Sequence, residues 1–338
     1  MTPTPTVLFG FGMIGAGFAA DNKMSIHFDY ATHAQVLRDH PAYDWQGVVD
    51  PSPAARETAK SWGVPMVVAH TDDLPDGFKP EVAVIATGPD GRRNALESLD
   101  DLKLAILEKP LGADGDAAAG LLADCAARQI AVQVNLFRRA EDTTRALANG
   151  ELERQIGTPQ AIFGVYGNGL RNNAVHMVDL IRMLTGEITA VRALGAVRAL
   201  DNPPIMDDVA LPFALTLASG ACATLQPLDF SHYREVGLDI WGTDGRLEII
   251  QEGLLMRVSP RTAHRALDDD HEIASDVSEV LDNGYGRALY ALYDNAAAWL
   301  SGTEQLISPG ENAMRNERIL DAVLLSAGRC GAEIEISA

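Results

Sequence analysis

The feature that most constrains the fold is a glycine motif that follows a short apolar run near the N-terminus. The run Thr6-Val7-Leu8-Phe9 is typical of a buried strand, and Gly10-Phe11-Gly12-Met13-Ile14-Gly15 comes directly after it. In such a motif the first glycine permits a tight turn, the second lets a pyrophosphate approach the backbone, and the third permits close helix–strand packing. Three glycines also occur by chance in turns, but their position after the first strand favours a dinucleotide-binding loop. We expect a helix from about Ala16, with cofactor contacts from Gly10, Gly12, Met13, Ile14 and Gly15.

Strand-like and helix-like segments alternate through the first 138 residues. Continuous apolar runs at residues 82–87 and 104–107 are typical of parallel strands that are buried on both faces. Further strands are expected at residues 45–50 and 130–134, and helices at residues 32–40, 53–62 and 115–128. This alternation predicts an α/β fold with a doubly wound parallel sheet, a Rossmann domain, over residues 1–138. Residues 21–30 lack clear periodicity, and we interpret them as an insertion.

The pattern changes after about Arg139, where longer strands follow one another. Ser219-Gly220 and Asp244-Gly245 are typical of hairpin turns, which indicates antiparallel pairing. Two helices, at residues 285–300 and 311–328, close the chain. We therefore expect a second, α+β domain over residues 139–338 with a large, mostly antiparallel open sheet. An alternative for the last helix is that it packs back on the first domain.

The charge balance excludes some partners. The chain has 27 basic and 47 acidic residues, for a formal net charge of -20, so neither nucleic acid nor an anionic membrane is an expected partner. No stretch approaches the roughly 20 apolar residues that a membrane span needs. The N-terminal residues do not resemble a signal peptide, so we expect a cytoplasmic protein. The three cysteines, Cys125, Cys222 and Cys330, lack metal-ligand spacing and are expected to be buried free thiols.

Asp50 ends the second predicted strand, where a carboxylate can accept hydrogen bonds from both ribose hydroxyls of NAD. It lies 35 residues after Gly15, more than the roughly 20 usually expected, and the insertion explains the difference. The alternative is that Asp50 only begins the turn that follows it. Arg56 could pair with the 2′-phosphate of NADP. We expect NAD, with NADP as the alternative cofactor.

The tripeptide Glu108-Lys109-Pro110 ends a buried strand at the carboxyl edge of the sheet, where ligands of such folds bind. A lysine there can orient a hydroxyl, and an ammonium group with a lowered pKa can help to move its proton. A strand-end lysine that only reaches solvent is the alternative. Lys109 is therefore a candidate catalytic residue, and all three residues are candidate cofactor contacts.

His176 lies in a predicted helix whose apolar positions cover most of its circumference and which ends at Thr185-Gly186. A lone histidine in such a helix is more often a hydrogen-bonded core residue than an acid or base. Asp179, three residues further on, could fix the tautomer of the imidazole or merely bond to it. No third metal ligand has suitable spacing, so we expect no metal site. Because His176 follows the other three motifs in order, we treat it as a candidate catalytic residue.

With these residues in hand, the chain resembles the Gfo/Idh/MocA family of oxidoreductases (glucose-fructose oxidoreductase, inositol dehydrogenase, rhizopine catabolism). The resemblance covers nearly the whole chain. Beyond the four motifs it is carried by four segments, which are residues 133–139, Gly157-Thr158-Pro159, residues 240–249 and residues 308–313.

The resemblance implies an N-terminal Rossmann domain and a C-terminal domain whose open sheet carries the substrate site and often an oligomer interface. It implies that Lys109 contacts nicotinamide and substrate, and that His176 acts as acid or base on the reacting hydroxyl or carbonyl. Hydride would pass between the nicotinamide and a sugar carbon. The implied partners are a small-molecule carbohydrate substrate and further copies of the chain, in a homodimer or homotetramer.

Two positions depart from the family pattern. Family members often have aspartate four residues before the histidine, and here Asn172 stands there. Asparagine can bind a sugar hydroxyl but cannot accept its proton, and the alternative is that Asn172 or Asn173 caps the helix. The second departure is the loop Thr87-Gly88-Pro89-Asp90-Gly91-Arg92, where many members read Thr-Pro-Asn-x-x-His. This loop borders the cofactor, so Thr87 is a candidate cofactor contact.

Position alone indicates further substrate contacts. Tyr166 and Asn168 end the strand that leads to the His176 helix, and Tyr233 precedes the strand that starts at residue 237. The asparagine-rich helix start and the insertion before Asp50 look more like family members from surface-sugar pathways than like inositol dehydrogenases, and this resemblance implies a nucleotide-linked or modified sugar. We therefore expect an NAD(P)-dependent sugar, polyol or nucleotide-sugar dehydrogenase or reductase. A member that uses a tightly held cofactor for internal redox is the alternative within this class, and a non-catalytic nicotinamide-binding sensor or partner subunit is the alternative outside it.

Overall fold

A computed structural model of the chain describes residues 2–21 and 23–337. The chain divides into two compact units. The first comprises residues 1–140 and 286–314, and the second comprises residues 141–285 and 315–338. The first unit therefore includes a segment from near the end of the chain, namely the penultimate helix and the beginning of the last one.

The first unit is built on a parallel sheet. Its strands are β1 (Thr4–Phe9), β2 (Tyr43–Val49), β3 (Met66–Val68), β4 (Val82–Ile85), β5 (Leu104–Leu107) and β6 (Ala131–Val134). Among the described residues these six strands lie in the order β3-β2-β1-β4-β5-β6, and every pair is parallel. This arrangement confirms the predicted doubly wound α/β fold. The sequence analysis missed β3, because three residues are too few for a periodicity.

The switch point of this sheet lies between β1 and β4. The chain moves from β1 to β2 and β3 on one side, and from β4 to β5 and β6 on the other. Phe9 at the end of β1 pairs with Val49 and with Ile85 at the ends of its two neighbours. Because parallel strands end at the same edge, this register brings the segments after β1, β2, β4 and β5 together where such folds bind ligands.

The α-helices of the whole chain are α1 (Met24–His27), α2 (His33–Asp39), α3 (Pro53–Ser61), α4 (Pro89–Glu97), α5 (Gly115–Ala127), α6 (Asp142–Ala146), α7 (Leu152–Ile156), α8 (Val175–Thr185), α9 (Ala288–Leu300) and α10 (Gly310–Gly328). Helix α2 begins with a reciprocal cap in which Thr32 and Gln35 each bond to the backbone of the other. Helix α3 begins at a proline after Ser52, whose hydroxyl accepts from Ala55 N–H. These caps explain why both helices start where the sequence predicted them.

The helix expected from Ala16 does not form as a continuous helix. After the glycine loop the chain makes a 3-10 turn (Gly17–Ala20) and the one-turn helix α1, and regular helix resumes only at α2. The backbone N–H of His33 donates to Ile14 O at 3.2 Å, as the fifth residue of a continuous helix would. The chain between the glycine loop and α2 is thus a loop inserted into one helix.

The length of this insertion explains the long spacing to Asp50. In a continuous helix, residue 18 would donate to Ile14 O, but residue 33 does so, and 33 minus 18 gives an insertion of 15 residues. Removing them shortens the separation between Gly15 and Asp50 from 35 positions to 20, which is the usual spacing of about 20 in this motif. The insertion is therefore somewhat longer than the predicted residues 21–30.

Helix α9 packs into the core of the first unit, against the face of the sheet that α2 also covers. Its Leu292 and Tyr293 are fully buried in the same cluster as Leu8, Val48 and other apolar side chains of the sheet. The Gln133 amide donates to Leu292 O at 2.9 Å. The Rossmann unit is therefore completed by a helix that lies about 150 residues further along the chain.

The second unit is built on a large mixed sheet. Its strands are β7 (Pro159–Tyr166), β8 (Ile188–Ala193), β9 (Arg198–Ala199), β10 (Val209–Ala210), β11 (Phe213–Leu217), β12 (Cys222–Pro227), β13 (Gly237–Gly242), β14 (Gly245–Ile250), β15 (Leu255–Ala263), β16 (His271–Ile273), β17 (Glu279–Leu281) and β18 (Ile334–Glu335). Within the described part of this unit the order is β16-β15-β14-β13-β7-β12-β11-β8-β18, with β17 also on β15 and β9 paired only with β10.

Most pairs in this sheet are antiparallel, as predicted, and both expected hairpins form. The exception is the central pair, because β12 runs parallel to β7 with Pro227 opposite Tyr166. The carboxyl ends of these two strands therefore lie side by side. Leu228 N–H donates to Tyr166 O at 2.6 Å, and the ring of Phe230 covers Gly167.

The three cysteines are free, but the prediction that all are buried was wrong. Cys125 is buried in the first unit, and burial raises its pKa to about 11. Cys222 and Cys330 are exposed, since they lie on a solvent-facing strand position and beyond the last helix. Among the described residues, each helix is too short or too polar to cross a membrane.

Candidate active-site residues

The glycine loop after β1 uses its three glycines for three different reasons. Gly10 has a φ of +87°, and a Cβ there would lie 2.9 Å from the Thr87 methyl group. A Cβ on Gly15 would overlap the carbonyl oxygen of Gly10. A Cβ on Gly12 would meet no described atom within 4 Å. Two glycines are thus required by the fold, while Gly12 leaves the loop backbone open to a ligand.

Asp50 is tied to the glycine loop. One oxygen of its carboxylate accepts from Phe11 N–H at 2.6 Å, and the other accepts from Ser52 N–H at 2.8 Å. Arg56 turns toward the backbone, where its guanidinium donates to Asp50 O at 2.9 Å and Pro51 O at 2.8 Å. The acid therefore holds the loop that would bind the pyrophosphate, and the arginine supports the turn that carries the acid.

The altered loop after β4 is anchored by a residue that the sequence analysis did not single out for a role. Arg92 of α4 is fully buried, although arginine seldom is. It donates to Thr87 O at 3.1 Å and also to Pro110 O. The guanidinium thus joins the segment after β4 to the segment after β5. In the family motif a histidine would stand at this position.

Lys109 follows a carboxylate that is held inside the first unit. Glu108 is 8% exposed, and its Oε1 accepts from Asn135 Nδ2 at 2.5 Å and lies 3.0 Å from His33 Nε2. Burial is the largest single influence and would raise the pKa of Glu108, but the hydrogen bond and charge of His33, the hydrogen bond from Asn135 and the charge of Lys109 together hold the pKa below its usual value. Lys109 itself is half-buried, and its peptide bond to Pro110 is cis.

The edge of this sheet fits a dinucleotide. The backbone at Gly12 is open and could bind a pyrophosphate, whereas a side chain at this position would occupy the space of the pyrophosphate. The Thr87 hydroxyl is buried and lacks a hydrogen-bond partner among the described residues, as expected of a group that bonds to a cofactor. Each Asp50 oxygen has a further lone pair for a ribose hydroxyl. The residues at the ends of β1, β2 and β4 therefore suit the group that the glycine motif predicts.

In the second unit, His176 lies in the first turn of α8 and is 7% exposed. Asp179 on the same helix is buried and accepts from Asn316 Nδ2 of α10 at 2.8 Å. Asn316 Oδ1 in turn accepts from Arg182 at 2.6 Å, and Arg182 pairs with Glu187 at 2.9 Å. Asp179 thus takes part in a network that fixes α8 against α10. In the part of the chain that the structure describes, no three His, Cys, Asp or Glu side chains cluster as metal ligands would.

The start of α8 is held by Asp208, which the sequence analysis missed. The carboxylate of Asp208 is 5% exposed and accepts from the backbone N–H groups of Arg171 at 3.1 Å and Asn172 at 2.9 Å. A Cβ on Gly169, which has a φ of +102°, would overlap this carboxylate. The alternative role of Asn172 as helix cap was wrong, because the capping carboxylate comes from the loop before β10.

Burial has two consequences at the start of α8, one for the pKa of Asp208 and one for the hydrogen-bond donors of Asn173 and Arg171. It raises the pKa of Asp208, despite the N–H groups and the nearby Arg171 guanidinium that favour the carboxylate. The side-chain amide nitrogen of Asn173 is buried and lacks an acceptor among the described residues, and so does one guanidinium nitrogen of Arg171. These two donors could bind an oxygen of a ligand.

The three other predicted substrate contacts lie in different surroundings. Tyr166 is fully buried, and its hydroxyl donates to Leu211 O at 2.7 Å and accepts from Leu211 N–H at 3.1 Å. Asn168 is half-buried in a left-handed conformation (φ +53°), two residues after the end of β7. Tyr233 is 63% exposed in the loop after β12. Because the hydroxyl of Tyr166 is used within the fold, we leave it out of the substrate contacts proposed below.

Comparison with known families decides the identity of these two units. A profile described as the oxidoreductase family with NAD-binding Rossmann fold matches residues 9–136. A second, described as the GFO/IDH/MocA C-terminal domain, matches residues 153–248. The chain belongs to the GFO/IDH/MocA oxidoreductase family. The resemblance drawn from the motifs is confirmed, and the first unit is an NAD-binding Rossmann domain. No curated protein matches the chain in sequence.

Solved structures share the fold of this GFO/IDH/MocA protein along its whole length. A levoglucosan dehydrogenase in complex with NADH and levoglucosan is 18% identical, with 99% of this chain and 100% of that one covered and a TM-score of 0.73. The WlbA dehydrogenase from Bordetella pertussis, in complex with NADH and UDP-GlcNAcA, is 16% identical, with 99% of each chain covered and a TM-score of 0.72. An NAD binding oxidoreductase from Klebsiella pneumoniae is 15% identical, with both chains fully covered and a TM-score of 0.74.

The structure shows how the two segments that depart from the family pattern, the loop after β4 and the segment before His176, are held. In this GFO/IDH/MocA chain Arg92, at the first departure from the motif pattern, donates to the backbone carbonyl of Pro110, next to Lys109. Asn172, at the second departure, has its backbone N–H bound by the Asp208 carboxylate. Both segments therefore keep a defined geometry, although their side-chain chemistry differs from the pattern.

Proposed function

We propose that the protein is an NAD-dependent dehydrogenase or reductase that transfers a hydride to or from a CH–OH carbon of a sugar, polyol or nucleotide-sugar. The observation that carries this proposal is the edge of the Rossmann sheet, where an open glycine backbone, an orphaned Thr87 hydroxyl and the Glu108-Lys109 pair follow neighbouring strands. Carbohydrate ligands in two structures of the same fold support the substrate class.

In the proposed reaction Lys109 and His176 handle the proton. When bound, NAD supplies a hydride acceptor, and the carbon that loses hydride must also lose its hydroxyl proton. Lys109 would donate a hydrogen bond to the reacting oxygen, and the His176 imidazole would accept the proton. Asn172 cannot accept that proton because an amide nitrogen is not basic, so its part would be to bind a neighbouring hydroxyl.

We propose NAD rather than NADP as the cofactor because of how Asp50 and Arg56 are arranged. A buried carboxylate at the end of β2 favours two ribose hydroxyls and repels a 2′-phosphate. Arg56, the residue that could pair with that phosphate, donates instead to two backbone carbonyls. A preference for NADP of tenfold or more in kcat/KM would contradict this part of the proposal.

Substrate hydroxyls would be bound by polar groups of the second unit. We propose Asn172, Asn168 and Tyr233 for this role and add Asn173, since its buried amide nitrogen lacks an acceptor among the described residues. An unchanged KM after Asn173→Ala would remove that residue from the set.

We also propose that copies of the chain associate through the exposed face of the large sheet, where Phe163 is 52% exposed. Light scattering that finds only monomers would contradict this.

The function is tested by following nicotinamide absorbance with pools of polyols, sugars and nucleotide-sugars, first with NAD and then with NADP. We expect turnover that falls about 100-fold or more in Lys109→Ala and in His176→Ala, in line with the usual contribution of a general acid or base. Lys103→Ala is the matched control, because Lys103 lies at the other end of β5 and pairs with Glu81 in solvent. Full activity in both active-site variants would overturn the mechanism, and cofactor binding without any turnover would favour the non-catalytic alternative.

A further inference from the structure

Arg92 binds two carbonyl groups at the point where β4 and β5 end. One terminal nitrogen of its guanidinium donates to Thr87 O at 3.1 Å, and the other donates to Pro110 O. The residue is 1% exposed, and arginine is rarely buried so completely. Because a buried guanidinium needs such bonds to offset the loss of water, both contacts belong to the construction of this edge of the sheet.

The two carbonyls are the ones that a longer β4–β5 ladder would use. The strands are parallel and in register up to Ile85 opposite Leu107, and Glu108 N–H donates to Ile85 O at 3.1 Å. Two residues further, the same pattern would join the N–H of residue 110 to Thr87 O. The bond after that would join the N–H of residue 89 to the carbonyl of residue 110.

Both of these backbone donors are missing, because residues 89 and 110 are prolines. Proline has no backbone N–H, so neither carbonyl can receive its ladder bond. The Arg92 guanidinium supplies one N–H to each of the two carbonyls. A side chain near the start of α4 therefore takes the place of two backbone hydrogen bonds and joins the strand ends where the ladder stops.

The segments that Arg92 joins contain residues on which the proposed function depends. Thr87 has a buried hydroxyl that lacks a hydrogen-bond partner among the described residues, and its methyl group packs against Gly10 of the glycine loop. Pro110 directly follows Lys109, the candidate catalytic residue. The bonds of Arg92 therefore hold the backbone on both sides of the place where the nicotinamide would lie.

We propose that Arg92 is a positioning residue that holds the Thr87 and Lys109 segments at the spacing that the nicotinamide half of the cofactor requires. It does so by supplying the two N–H donors that the proline-containing strand ends lack. The inference rests on the proposed function for the identity of the ligand, but both bonds exist in the free protein. The adenosine half, which Asp50 would bind at the end of β2, should not depend on Arg92.

The first test compares the two halves of the cofactor in Arg92→Lys. This variant keeps the positive charge but has a single nitrogen in place of the planar fork, so it cannot hold both carbonyls in the same geometry. Calorimetric titration compares NADH with ADP, which lacks the nicotinamide riboside. We expect NADH affinity to fall about tenfold, roughly the effect of one lost hydrogen bond, and ADP affinity to stay within about threefold of wild type.

Arg128→Lys is the matched control. The Arg128 guanidinium also donates to two backbone carbonyls, those of Leu96 and Leu99, but at the other end of α4. Arg128 is exposed, so the control matches the bonds of Arg92 and not its burial. The affinity of this variant for NADH and for ADP should equal that of wild type.

Hydrogen exchange in the free protein tests the two bonds directly. In Arg92→Lys, peptides from residues 86–91 and 108–113 should both exchange faster than in wild type, because backbone that loses its anchor opens more often. Peptides from β2 and β3 should keep the wild-type rate. Thermal unfolding checks that the variant is folded. If it is not, Arg92→Gln, whose amide nitrogen keeps a neutral donor on a shorter side chain, takes its place in both experiments.

Equal losses of NADH and ADP affinity, or unchanged NADH affinity in the folded variant, would overturn the inference and leave Arg92 a structural residue. Unchanged exchange in both segments would also overturn it. A loss confined to NADH, with faster exchange in both segments, would support it. A wild-type protein that binds NADH but turns over no carbohydrate would contradict the proposed function, and the two binding measurements would still decide the role of Arg92. Where turnover exists, kcat of Arg92→Lys at saturating NAD should fall about tenfold or more, because a small displacement of Lys109 disturbs the reacting geometry.

Discussion

The glycine loop in the first unit and the start of α8 in the second are held by the same kind of interaction, in which an aspartate carboxylate accepts hydrogen bonds from backbone N–H groups. In the first, the Asp50 carboxylate accepts the backbone N–H of Phe11 at 2.6 Å, and in the second, the Asp208 carboxylate accepts the N–H groups of Arg171 and Asn172. In both units an acid that is distant in sequence binds the backbone of a segment that contains candidate site residues. The difference is that Asp50 ends a strand next to β1, whereas Asp208 comes from an irregular loop. The order of parallel strands therefore predicts the first contact, and no sequence pattern predicts the second.

The largest expected effect separates the glycines of the first region. Gly15→Ala should destabilise the protein by several kcal/mol and abolish measurable NAD binding, because the new Cβ overlaps a backbone oxygen that cannot move without the loop. Gly12→Ala should leave the unfolding temperature within about 2 °C of wild type, because its Cβ meets no described atom within 4 Å. Its NAD affinity should nevertheless fall about 10-fold to 100-fold, since the methyl group occupies the space of the pyrophosphate.

Calorimetric titration with NAD and thermal unfolding check both variants of this pair. Gly328→Ala serves as the control, because a Cβ there also meets no described atom within 4 Å and Gly328 lies at the end of α10, outside the proposed cofactor site. Unchanged NAD affinity in Gly12→Ala would mean that the pyrophosphate does not approach this backbone, and the dinucleotide interpretation of the loop would then be wrong.

The next effect concerns the second region. Asp208→Ala should cost about 1–2 kcal/mol of stability, because two partly buried N–H groups lose their acceptor. It should raise KM for the carbohydrate or lower kcat by about tenfold, as Asn172 and the His176 turn lose their support, while the affinity for NAD stays at the wild-type value. Asp201→Ala, in the exposed part of the same loop, is the matched control. If NAD affinity fell instead, the acid would act on the first unit, and the two-region comparison would fail.

A smaller effect has opposite signs in the two regions. The pKa of Glu108 is lowered from 4.5, so the folded state favours its carboxylate, and the stability it gives is lost as pH falls through 4.5 toward the folded-state value. The pKa of Asp208 is raised from 3.8, so the folded state binds that proton more strongly, and stability is lost as pH rises from 3.8 through the folded-state value.

Urea unfolding of wild type, Glu108→Gln and Asp208→Asn at a series of pH values tests this contrast. On acidification, the stability advantage of wild type over Glu108→Gln should shrink, and that over Asp208→Asn should grow. Each variant removes one negative charge from a chain of net charge -20, so the general charge effect cancels between them. Parallel pH dependence of the two differences would contradict the assigned burial and bonding.

The predictable part of this protein is the part that short-range patterns encode. The strands β1, β4 and β5 are continuous apolar runs, and the motifs that follow them hold the glycines, Thr87 and Lys109, so fold class and cofactor edge follow from the sequence. His33, Arg92 and Asp208 did not emerge, because each is a buried polar residue whose partner is fixed only by tertiary packing. The helix predicted from Ala16 forms only as the 3-10 turn Gly17–Ala20, and the insertion predicted at residues 21–30 is longer, at 15 residues, since a local helix signal does not show where the looped-out segment begins.

The smallest effect tests whether Tyr166 belongs to the fold or to the substrate site. Its hydroxyl both donates to the carbonyl and accepts from the N–H of Leu211, which precedes β11. Burial raises the pKa of Tyr166 far above the usual value. Tyr166→Phe should therefore cost about 1 kcal/mol of stability, the usual net value of one buried hydrogen bond, and leave KM unchanged. Tyr233→Phe is the contrasting variant, because its exposed hydroxyl is available to a ligand and its loss should raise KM without lowering stability. A higher KM in Tyr166→Phe at unchanged stability would return Tyr166 to the substrate contacts. In that case the end of β7 would resemble the ends of the Rossmann strands, with functional groups directly at the strand terminus.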